Sequence, residues 1–205
     1  LGDASGAVVG LADALRLVFA TQCLLGELQT ARDAATKECE AFRVVGERHG
    51  EAAMLLALSD LHLVGGSCVE ASEKASTARD ICRAADDGRL EAAALLAIAR
   101  ARLSMELPSE ALGAASDASA ISRRLGDVQG RAMALRAQAA AHLAGGSLDD
   151  ALRASSEALE LLRESKSTKG QAYELEMLAH THLQRRRPNE ALAAAREAEA
   201  LFRSL

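Results

Sequence analysis

One property of this chain constrains its fold more than any other. Shifted by 40 residues, the sequence matches itself without a gap. Ala12, Ala52, Ala92, Ala132 and Ala172 share a column, and Leu15, Leu55, Leu95, Leu135 and Leu175 fall three residues later. Ala31, Ala71, Ala111, Ala151 and Ala191 form a third column. Three columns identical in five copies define an array, with repeats at approximately 6–45, 46–85, 86–125, 126–165 and 166–205 of a single domain covering 1–205.

Each unit reads as two helices. In the fourth copy Ala132, Leu135, Ala139 and His142 make a helical stripe, and Gly145-Gly146 ends it, because glycine takes the left-handed cap conformation without a Cβ penalty. Asp149 and Asp150 then open a second helix, where negative charge suits the helix dipole. Its apolar face runs through Ala151, Leu152, Ser155, Ala158, Leu159 and Leu162. Composition agrees: the 205 residues include 46 alanines, the best helix former, and only two prolines. The predicted class is all-α, a helix-turn-helix unit that buries its apolar face only by stacking on its neighbours.

The formal charge of −5 and a single Tyr weigh against a nucleic-acid partner, which calls for a cationic field and stacking platforms. No run of 18 apolar residues is present, so no membrane-crossing helix and no membrane partner are expected. Cys23, Cys39, Cys68 and Cys82 form no CxxC pair, and they read as reduced, small hydrophobes suited to the cytoplasm. His62, His142 and His182 share a column but lie one repeat apart, too far to meet on one zinc ion. No metal and no cofactor are therefore expected. "VGGSC" at 64–68 occupies the turn position of "AGGSL" at 144–148, and no catalytic motif is present, so the chain is not expected to be an enzyme. "RRRP" at 185–188, the only basic run, reads as a solvated turn, with a docking patch for an acidic partner as the alternative.

The columns resemble those of the tetratricopeptide repeat (TPR) family, in its forty-residue-period variety. The family's positions fall on Leu135, Gln138, Ala139, His142, Gly146, Leu148, Ala151 and Ala158 in the fourth copy. In the second copy they fall on Leu55, Leu58, Ser59, His62, Gly66, Cys68, Ala71 and Ala78. The small-residue positions match best, and the aromatic positions are replaced, chiefly by His. The resemblance implies a right-handed α-solenoid of five tandem TPR-like repeats, with the first helix of each repeat (helix A) lining a concave groove.

It further implies a non-catalytic protein-protein interaction module that binds a peptide or helix of a partner protein in that groove. The implied groove residues are Arg16, Leu56, Asp60, Leu96, Arg100, Met133, Arg136, Tyr173, Glu176 and His180, with Leu56, Leu96 and Met133 as an apolar floor. A Lys and Asn carboxylate clamp, as in chaperone-binding TPRs, is absent from those columns. The alternative is a structural spacer or an element of end-to-end self-association within a larger multidomain protein, because Leu192, Leu201, Phe202 and Leu205 have no following repeat to cover them. The first copy is offset: "LGDASGA" at 1–7 matches "LGDVQGR" at 125–131 four residues out of register, through an extra helical turn or by chance.

Overall fold

The computed structural model describes residues 2–205, with side chains from residue 6 onward. Ten helices run in order among the described residues: α1 (Gly2–Leu24), α2 (Leu28–Val45), α3 (Arg48–Val64), α4 (Cys68–Ala84) and α5 (Gly88–Ser104). They continue as α6 (Pro108–Leu125), α7 (Val128–Ala144), α8 (Leu148–Glu164), α9 (Thr168–Gln184) and α10 (Pro188–Arg203). Taken in pairs they are five helix-turn-helix units. From α2 onward each helix begins 20 residues after the one before. At 23 residues α1 is longer than the 17 of α3, which supplies the extra turn considered for the first copy; Leu1 of that segment lies outside the described residues.

The turns explain this spacing. One residue in each has a positive φ, at positions 26, 46, 66, 86, 106, 126, 146, 166 and 186. The N–H that follows then reaches back to close the helix end, as in Ser67 to the His62 carbonyl at 2.8 Å and Ser147 to the His142 carbonyl at 2.8 Å. At Gly146 the left-handed conformation comes without strain (φ 79°). At Lys166 (φ 55°) it does not.

The repeated alanines are buried in the fold. Ala12, Ala31, Ala52, Ala71, Ala111, Ala151 and Ala172 are fully buried, and Ala78, Ala118 and Ala158 are equally enclosed. Methyl-sized side chains let backbones come within reach of polar partners: the Ser59 hydroxyl donates to the Ala71 carbonyl at 2.8 Å. Leu55, Leu95, Leu135 and Leu175 fill the space beside them.

Contacts divide the chain into two compact units, Leu1–Met105 and Glu106–Leu205. In the first, Phe19, Phe42, Met54, Leu58 and Leu61 gather in one apolar cluster with the small residues between them. In the second, Leu159, Leu175, Leu178 and Ala198 form a smaller cluster joining α8, α9 and α10.

One expectation is corrected. Within α1, Gly6–Leu24 is long and apolar enough to cross a membrane by length and composition. Asp13 and Arg16, its only charges after residue 6, are too few to offset its Ala, Val, Leu and Phe. In this fold the helix contributes Ala12 and Phe19 to the core it shares with α2 and α3.

Candidate functional site

The residues assigned to the partner surface sit on the odd-numbered helices. In the first unit, α1 and α3 flank an apolar hollow of about 630 Å³. Leu17, Leu24, Val64 and Ala57 supply its apolar lining, and Asp13, Arg16 and Asp60 its polar groups. Leu17 is 71% exposed, Leu24 89% and Val64 67%, so large aliphatic side chains stand in water around this hollow. Asp60 also binds Arg100 of α5, 40 residues on, at 2.5 Å. An acid in one copy and a base in the same column of the next thus make an ion pair between repeats.

In the second unit, the Arg136 guanidinium of α7 lies over the Tyr173 ring of α9, 5.1 Å from its centroid. The Tyr173 ring meets Phe202 of α10 edge-on at 5.2 Å. Only four aromatic residues exist in the chain, and two of them meet here. Met133, Glu176 and His180 are exposed on the same helices.

Two of the ten assigned residues do not belong to an open surface. Leu56 is 3% exposed and Leu96 9%, so they serve as core and not as groove floor. Their column places Leu where the first and fourth copies carry Arg16 and Arg136, and a leucine there folds inward. Arg16, Asp60, Arg100, Met133, Arg136, Tyr173, Glu176 and His180 remain accessible or half-buried. Sequence reasoning missed Leu17, Leu24 and Val64. Their signal was the apolar density of α1 and the valine before Gly65-Gly66.

A deeper feature also escaped it. Glu174 of α9 is 1% exposed, and neither carboxylate oxygen has a hydrogen-bond partner of ordinary geometry. Burial pushes its carboxyl up to about 7; the Ser155 hydroxyl and Arg136 oppose that rise without cancelling it. The Ser155 hydroxyl of α8 is itself buried without a hydrogen-bond partner.

Cys82 is buried, and burial together with Asp87 and Glu91 pushes its thiol up to about 12, which disfavours the thiolate. His62, His142 and His182 are half-buried, and burial with nearby Arg32 pushes His62 down. Among the described residues no group of three or more His, Cys, Asp or Glu is placed to hold a metal ion. In the "RRRP" turn, Arg185 pairs with Asp149 at 2.7 Å, Arg187 lies 4.0 Å from Glu190, and Pro188 opens α10.

Neither a protein-family model nor a curated protein sequence matches the chain. Solved structures do. The nearly identical TPR-like repeats assigned to a kinesin light chain of Podosopora anserina superpose with a TM-score of 0.72 at 15% identity, covering 95% of this chain and 96% of that one. BtubC (BKLC) from P. vanneervenii gives 0.67 at 14% identity, over 98% of this chain and 89% of that one. The apo form of RapI gives 0.74 at 16% identity over 93% of this chain, which spans 53% of RapI. At such identities the likeness carries the architecture alone: the chain has the all-α fold of TPR-like helical repeats.

Proposed function

We propose that this chain is a non-catalytic protein-interaction module that receives a peptide or helix of a partner protein on its odd-numbered helices. The observation that carries this reading is the hollow between α1 and α3, where Leu17, Leu24 and Val64 remain in water beside Asp13 and Arg16. An apolar floor with a few charged groups at its edge suits an amphipathic segment: the apolar side supplies binding energy and the charges set its register. The TPR-like fold supports the same reading, since such arrays serve as scaffolds. The chain's acidic balance favours a protein partner over nucleic acid, and its four free cysteines suit the cytoplasm.

Selection from a displayed library of amphipathic helical peptides, followed by NMR mapping, tests the site. Selected peptides should perturb α1 and α3 amides and lose at least about tenfold in affinity against Leu17→Glu/Val64→Glu, since a buried aliphatic side chain contributes roughly 1.5–3 kcal/mol. Peptides that bind both proteins equally would refute this placement.

A second reading, a structural spacer or self-association element, is supported by α10, where Leu192, Phe202 and Leu205 are exposed. Light scattering across a concentration series separates the two readings: a strict monomer removes self-association.

A further inference from the structure

Glu174 occupies a column that is core in the three preceding copies. The equivalent residues of α3, α5 and α7 are Met54, Ala94 and Ala134, all fully buried and all apolar. In α9 the same position holds a carboxyl, enclosed as tightly as its counterparts, with neither oxygen in a hydrogen bond of ordinary geometry. It lies where α9 packs on the preceding helices. The contacts that hold the α9–α10 hairpin there include the cluster of Leu159 with Leu175, Leu178 and Ala198, the ion pairs Arg163–Glu197 and Arg185–Asp149, the Gln171 amide donating to the Leu162 carbonyl at 3.0 Å, and Arg136 over Tyr173.

The groups around Glu174 give an ionised carboxylate little support. Arg136 of α7 is the charged group that acts on it, and that guanidinium already covers the Tyr173 ring. From α8 it is faced by the uncharged Ser155 hydroxyl. The acid on α10 that reaches α8, Glu197, is engaged by Arg163. His180, exposed on α9 itself, and half-buried His182 complete the titratable groups on the C-terminal half of that helix.

We infer that the α9–α10 hairpin is a pH-sensitive latch: ionisation of Glu174 loosens its junction with α7 and α8, and the hairpin opens while those helices stay folded. Repeats of this kind are held mainly by nearest-neighbour interfaces, so weakening one interface opens one unit before the rest. Protonated, the carboxyl can donate to an acceptor or pack as a polar core group. Ionised, it needs solvation, which opening provides. Opening would part the Tyr173 ring from Arg136 and expose Leu175, Leu178 and the Ser155 face of α8.

Hydrogen exchange with mass spectrometry between pH 5 and 8, corrected for intrinsic exchange, tests this on the intact chain. Opening of α9–α10 should become roughly seventyfold more frequent across that range, if the carboxyl returns from about 7 to its ordinary 4.5 on opening. Protection of α6 and α7 should change much less. Fluorescence of Tyr173, the only tyrosine in a chain without Trp, should follow the same titration. In Glu174→Gln, isosteric and uncharged, and in Glu174→Met, which restores the residue of α3, the extra pH dependence should vanish in both readouts. Equal pH dependence in these variants, or a loss of protection uniform over all helices, would overturn the proposal.

Discussion

The turn register yields a prediction that can be worked through from the backbone. Five of the nine turns place glycine at the left-handed position, and four place Asp86, Glu106, Lys166 or Arg186 there, at φ 55–59°. A left-handed residue with a Cβ costs about 1–2 kcal/mol. Glycine avoids that cost but gives up roughly 0.5–1 kcal/mol of chain entropy on folding. The net gain from installing glycine is therefore about 0.5–1 kcal/mol per turn. Lys166 and Arg186 are the cleanest sites, because their backbone groups make the hydrogen bonds there, and glycine keeps those. They lie a full helix apart, so their effects should add, and Lys166→Gly/Arg186→Gly should stabilise by roughly 1–2 kcal/mol. In urea this should appear as a midpoint raised by about 0.5 M with an unchanged slope. Gly146→Ala is the mirror experiment: a Cβ there would have nothing within 4 Å, so the loss, about 1 kcal/mol, would come from backbone conformation alone. A double variant with an unchanged or lower midpoint, beside a neutral Gly146→Ala, would refute the reasoning.

Other sites give sharper packing tests. Ala151→Leu should cost about 1–3 kcal/mol by denaturant unfolding, because Ala151 is fully enclosed. Gly50→Ala would set its Cβ 2.4 Å from the Phe42 ring and should also destabilise by roughly 1–3 kcal/mol, whereas Gly10→Ala, in open space, should stabilise by about 0.4–1 kcal/mol; the two melts should shift in opposite directions. Glu174 makes stability depend on pH. Its carboxyl is raised in the fold, so its contribution is fully present below about 4.5 and is lost as pH rises through about 7, a change of about 3 kcal/mol. Unfolding of Glu174→Met at pH 5 and pH 8 should therefore show its advantage over the parent growing with pH. Cys82 should resist thiol reagents at pH 8 in the folded chain and react on unfolding, as thiol counting with and without denaturant would show.

Much of the architecture was legible because a forty-residue repeat writes the same instruction five times. The alanine columns at 12, 52, 92, 132 and 172 and at 31, 71, 111, 151 and 191 required close helix pairs, and the structure buries all ten. Glycine at 66 and 146 marked two turns in the sequence, and the structure puts both in the left-handed region. The turns at 86, 106, 166 and 186 carried no such mark; their conformation is imposed by the helices they join. The partner surface was legible in part. Asp60, Arg100, Arg136 and Tyr173 could be assigned to helix positions, but a column fixes which way a residue faces, not which neighbour it meets.

By itself, then, the sequence determined the class, the helix count and the helix spacing, since these follow from periodicity and from residues whose backbone preferences act locally. Tertiary structure alone decided three things: that Leu56 and Leu96 are core while Leu17 and Val64 stand in water, that Arg136 rests on Tyr173, and that Glu174 is enclosed without a partner. The physical reason is that exposure and pairing depend on the helices packed against a residue. Identical columns meet different neighbours in successive repeats, and a carboxyl in a column of Ala and Met reveals its cost only when those neighbours close around it.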